Sequence, residues 1–84
     1  MSRVTLKFFA SLREALGPGG PIEVPEGATV ADVRRLLQAR DAAHAQALAD
    51  DRAVRCALNQ VMCAPSTPVG DGAELAFFPP VTGG

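Results

Sequence analysis

The stretch "TVADVRRLLQ", residues 29–38, most constrains how this 84-residue chain can fold. Val30, Val33, Leu36 and Leu37 recur at helical spacing and make one apolar stripe, with Arg34 and Arg35 lying off it. Thr29 followed by Asp32 reads as an N-cap with an acidic group at the third helical position, as in a capping box. Arg40 marks the helix end. The alanine-rich segment 41–50, "DAAHAQALAD", is helical by propensity but weakly amphipathic, so one helix must supply most of the cover for any sheet. A single helix covers one sheet face, and the other face then meets water or a partner.

The remaining apolar residues follow the period of strands. In "RVTLKFF" (3–9), Val4, Leu6 and Phe8 share one face, and Thr5, Lys7 and Phe9 share the other. "SLREALG" forms a short helical turn that stops at Gly17. Pro18-Gly19-Gly20-Pro21 breaks the chain before a short strand "IEV" (22–24), which returns beside the first as a hairpin. Residues 53–59 alternate again, with Val54, Cys56 and Leu58 inward and Arg55, Ala57 and Asn59 outward. Asn59-Gln60 turns into a brief "VMC" strand, 64–72 is loop, and Asp71-Gly72 signals a tight turn. The last strand, 73–78, points Leu75 and Phe77 to the core and leaves Glu74, Ala76 and Phe78 on the other face. Strand, strand, helix and strands again describe a small α+β roll, a mixed sheet packed on one main helix.

Composition excludes several functions. A net charge of −1 with mixed signs shows no basic stripe for nucleic acid. No apolar run reaches membrane-spanning length, and "MSRVTLKFFASLRE" is charged too early for a signal peptide, so a cytoplasmic protein is expected. The 48% apolar content suits one globular core. Cys56 and Cys63 lack metal-type spacing and read as reduced side chains. His44 stands alone among alanines and reads as solvated, with no metal implied. No nucleophile–base pair or complete phosphate loop is present, so catalysis by this chain alone is not expected.

Phe9, Met62 and Phe78 are large apolar groups where the pattern expects polar ones. If the first and last strands are parallel neighbours, Phe9 and Phe78 meet. They then form either an interaction surface or a minor core closed by loop 64–72. Beyond them, Pro79 and Pro80 lack backbone donors and lead the chain off the sheet. Val81, Thr82, Gly83 and Gly84 have little bulk, as an arm entering a narrow channel would need. A frayed, glycine-rich end is the plain alternative. A carboxylate becomes a good electrophile once joined to AMP as an acyl-adenylate.

"FFPPVTGG" at 77–84, with "KFFASLREALG" and "ALNQ", resembles the small, sulfur-carrying subunits of molybdopterin synthases, over essentially the whole chain. The resemblance implies a β-grasp (ubiquitin-like) domain over 1–78 and a flexible C-terminal tail over 79–84. It implies that Gly84, preceded by Gly83, is adenylated with ATP by a ubiquitin-activating-type enzyme and converted to a thiocarboxylate by a sulfur donor enzyme. No tightly bound cofactor is implied. The charged chain would dock on the large catalytic subunit, in a heterotetramer, and donate sulfur to cyclic pyranopterin monophosphate. Phe9, Met62, Phe78, Pro79, Pro80, Val81 and Thr82 would make the partner contacts. A sulfur carrier for thiamine, tungsten-cofactor or tRNA thiolation, a ubiquitin-like protein modifier, or a plain interaction module are the competing readings.

Overall fold

The computed structural model describes residues 1–80. Along the chain run β1 (Ser2–Phe8), α1 (Ala10–Leu16), β2 (Gly19–Val24), α2 (Val30–Gln38), α3 (Ala42–Ala47), β3 (Arg55–Leu58), β4 (Val61–Met62) and β5 (Glu74–Phe78). The strands form one sheet in the order β2-β1-β5-β3-β4. β1 and β5 are parallel, and the other three pairings are antiparallel. A parallel pair needs a crossover between its strands, and the chain from α1 to β4 supplies it. This is the β-grasp roll.

Strand alternation decides which face is covered. Val4, Leu6 and Phe8 of β1, Leu75 and Phe77 of β5, and Cys56 of β3 all join one buried cluster. Leu12 of α1, Val30, Val33 and Leu37 of α2, and Leu48 after α3 complete it. All three helices therefore cover the same sheet face.

The start of α2 is held by a capping box. Thr29 Oγ1 accepts from the Asp32 amide (3.2 Å), and Asp32 Oδ2 accepts from the Thr29 amide (3.0 Å). Leu36 departs from the expected stripe, being 42% exposed. It lies about 60° around the helix from Val33, on the side away from Leu37, so it clears the sheet.

The segment after α3 is tied down by α2. Arg34 Nε donates to Leu48 O (2.8 Å), while its Nη2 donates to Ala49 O (2.6 Å) and Arg52 O (3.1 Å). Gln38 Nε2 also donates to Leu48 O, at 2.7 Å. These contacts satisfy carbonyls of the irregular segment that follows α3.

Two local expectations are corrected. His44 is not solvated but 8% exposed. Its Nδ1 lies 2.7 Å from Asp41 Oδ1, and its ring meets the edge of Phe8 with centroids 6.1 Å apart. A polar group can be buried there because Asp41, the α3 N-cap, partners it. Second, β2 begins at Gly19 rather than Ile22, so the glycines and Pro21 lie within the strand. A proline is tolerated there because β2 is an edge strand with no second neighbour. Gly19 is required for steric reasons: its φ is +104°, and an added Cβ would lie 2.1 Å from Leu6 O.

Candidate docking face and C-terminal arm

The uncovered face is built from the alternate residues of the same strands. β1 and β5 pair in register, with Phe8 opposite Phe77 and Lys7 opposite Ala76. The Phe9 amide extends that ladder by donating to Phe77 O at 3.2 Å. Phe9 is thus brought beside Phe78 at the C-terminal ends of the two strands.

Phe9 itself lies one residue past β1, where it was expected within the strand. Its extended backbone (φ −127°, ψ 158°) makes it the N-cap of α1. Ala10 follows at φ 53°, and this left-handed residue turns the chain sharply into the helix. The turn leaves Phe9 45% exposed.

Phe78 ends β5, opposite Arg55, and is partly buried. Loop 64–72, the candidate cover for these rings, lies elsewhere. It is held against the start of α2, with Ala31 N donating to Pro65 O, Val30 N to Thr67 O and Val69 N to Ala28 O.

Met62 lies on the same face but farther away. It pairs with Ala57, which pairs with Ala76, which pairs with Lys7, in one row across four strands. Neighbouring strands are about 4.8 Å apart, so Met62 stands roughly 14 Å from β1 across the sheet. It is 57% exposed on a two-residue edge strand. The structure therefore joins Phe9 with Phe78 and sets Met62 at the far border.

Between them lie Ala57 and Ala76, which single-strand reasoning did not pick out. Their small side chains make a shallow apolar floor, and the signal is visible only once register is known. Charge frames this floor. Lys7 Nζ lies 3.3 Å from Glu74 Oε1, and Arg55 stands opposite Phe78. Phe9 and Arg13 also wall a shallow groove with Pro18 and Gly19.

Pro79 and Pro80 follow β5 directly and are half-buried. Having no amide hydrogen, they cannot prolong the ladder on either side of β5. Val81, Thr82, Gly83 and Gly84, expected to form the slim arm and its reactive end, lie outside the described residues. Among the described residues no group of three or more His, Cys, Asp or Glu could hold a metal ion. No described helix is long and apolar enough to cross a membrane.

Similarity to known proteins follows the same span. Residues 6–84 match the ThiS family. The molybdopterin synthase sulfur carrier subunit of Escherichia coli (strain K12) is 37% identical over 81 residues, covering 96% of this chain and 99% of that one. The subunit of the same name from Mycobacterium tuberculosis is 34% identical over 86 residues, covering all of both chains. Among solved structures, SAMP1 from Haloferax volcanii superposes with a TM-score of 0.83 at 29% identity, over 99% of this chain and 100% of that one. The chain belongs to the ThiS family, alongside the sulfur carrier subunits of molybdopterin synthase.

Proposed function

We propose that the protein carries sulfur on its C-terminal glycine for the synthesis of molybdopterin. Gly84 is adenylated with ATP by a ubiquitin-activating-type enzyme, and sulfur from a donor enzyme then displaces AMP to leave a thiocarboxylate. The charged chain docks on the large synthase subunit through Phe9, Phe78 and Met62, within a heterotetramer. Pro79 and Pro80 direct residues 81–84 into that subunit's active site, where sulfur passes to cyclic pyranopterin monophosphate. The chain is a co-substrate, and the catalytic groups belong to the large subunit.

One observation carries this reading: Phe9 and Phe78 sit side by side, and the two prolines follow Phe78 with no intervening residue. An apolar contact so placed fixes where the arm leaves the domain, which is what threading a short peptide into a channel requires. Intact mass spectrometry after incubation with ATP, the activating enzyme and sulfide tests the chemistry. The expected outcome is exchange of one oxygen for sulfur at Gly84; an unchanged mass with active partner enzymes rejects it.

A second reading is favoured by the likeness to SAMP1, whose name in a further structure is small archaeal modifier protein 1. As a modifier, the chain would be joined through Gly84 to lysines of other proteins. Arg55 is the last basic residue, so trypsin would leave residues 56–84 as the branch on a target lysine. Such branches in a cell extract, with no thiocarboxylate form, would favour the modifier.

A further inference from the structure

The β3–β4 hairpin continues its register one pair past the end of β4. Ala57 faces Met62, and the Cys63 amide donates to Cys56 O at 3.2 Å, which sets Cys56 opposite Cys63. Such hydrogen-bonded antiparallel neighbours hold their α-carbons about 5.5 Å apart. A disulfide spans about 4.4–6.8 Å between α-carbons, so this spacing falls within the range for one. Both cysteines are free. The Cys63 thiol donates to Cys56 Sγ at 3.4 Å, and the Cys56 thiol donates to Cys63 O at 3.3 Å.

We propose that Cys56 and Cys63 are a reversible oxidation site, a dithiol that a peroxide converts to a cross-strand disulfide within one chain. Cys63 reacts first. Cys56 is buried, and burial, with the adjacent Cys63 thiol as the next cause, pushes its thiol up to about 11. Cys63 is the more exposed of the two residues. Its thiolate attacks one peroxide oxygen, the O–O bond breaks, and hydroxide leaves to give a sulfenic acid. Cys56 sulfur then attacks Cys63 sulfur. The S–S bond forms as the S–O bond breaks, and the hydroxyl leaves as water with the Cys56 proton. The two sulfurs together lose two electrons, and the peroxide gains them. An external dithiol reverses the step by exchange.

The location gives the bond a consequence. Cys56 precedes Ala57 and Cys63 follows Met62, so the bond would close the hairpin directly behind the Met62 border of the uncovered face. β4 is a two-residue edge strand with both side chains exposed, the kind of element that frays first. Oxidation would hold it to β3.

The test uses the full chain treated with hydrogen peroxide, followed by alkylation under denaturing conditions and intact mass analysis. The expected result is a monomer lighter by two hydrogens with neither cysteine alkylated, returned to two alkylated cysteines by prior reduction. A Cys63→Ala chain is expected to lack the two-hydrogen loss. Oxygen addition at either sulfur of the unmodified sequence without loss of both thiols, or a disulfide between two chains, overturns the proposal. The measurement on the unmodified sequence decides the matter even if the variant folds poorly.

Discussion

The rings of Phe8 and Phe77, register partners on the parallel strands β1 and β5, stack with centroids 6.1 Å apart and planes 24° from parallel. Each is followed by a second phenylalanine that faces the opposite way. Buried pairing of Phe8 with Phe77 thus aligns the strands so that Phe9 and Phe78 emerge together on the uncovered side. Core packing and presentation of the candidate docking face are set by one register.

Truncating the inner member of that arrangement should damage the fold. Phe77 is among the largest fully buried side chains. Phe77→Ala is expected to cost about 3–5 kcal/mol, the range for loss of a buried aromatic with the cavity left behind. Chemical denaturation checks it, and a loss below about 1 kcal/mol would show that the site collapses freely.

The outer member should behave in the opposite way. Phe78→Ala is expected to weaken binding to the large synthase subunit by about 2 kcal/mol or more, as an interface anchor does. Its stability should fall far less than that of Phe77→Ala. Calorimetric titration measures this, and an unchanged dissociation constant would remove Phe78 from the contact.

The proposed carrier mechanism needs a free carboxylate at Gly84. Deleting Gly84, or adding one residue after it, should abolish sulfur transfer while the melting temperature stays unchanged. Retained transfer by a C-terminally extended chain would contradict the carrier mechanism.

Acid should weaken the helix starts. The Asp32 carboxyl is held below its usual range, chiefly by the Thr29 amide, and that of Asp41 chiefly by the His44 amide. Because both folded values lie below the unfolded ones, their contribution is complete above the unfolded carboxylate range. It is lost as pH falls below about 4 toward the folded values. Melting temperature against pH should therefore drop on the acid side, and Asp32→Asn should make that limb shallower. An identical acid limb in the variant would exclude Asp32 as a contributor.

Much of this was legible in the sequence because local physics suffices for it. The capping box of Thr29 and Asp32 needs only residues three apart, and the alternation of Val4, Leu6 and Phe8 follows from the pleat. The Asn59-Gln60 turn was also visible, and both residues adopt left-handed backbone at φ 51° and 69°. His44 is flanked by alanines in sequence, which gives no sign of its packing against Phe8, 36 positions away. Spacing puts Leu36 on the stripe, but only the position of the sheet decides where that stripe ends.

The sequence by itself determined the amphipathic α2, the alternating strands, the surplus phenylalanines and the Pro-Pro-Val-Thr-Gly-Gly ending, since these depend on residue type and period. The tertiary structure decided which of them meet. Parallel pairing of β1 with β5 joined Phe9 to Phe78, the order β5-β3-β4 placed Met62 at the far border, and the β3–β4 hairpin brought two unremarkable cysteines to 3.4 Å. The reason is that side-chain period assigns a face, whereas strand order and register, set by burying the whole core at once, assign the neighbours on it.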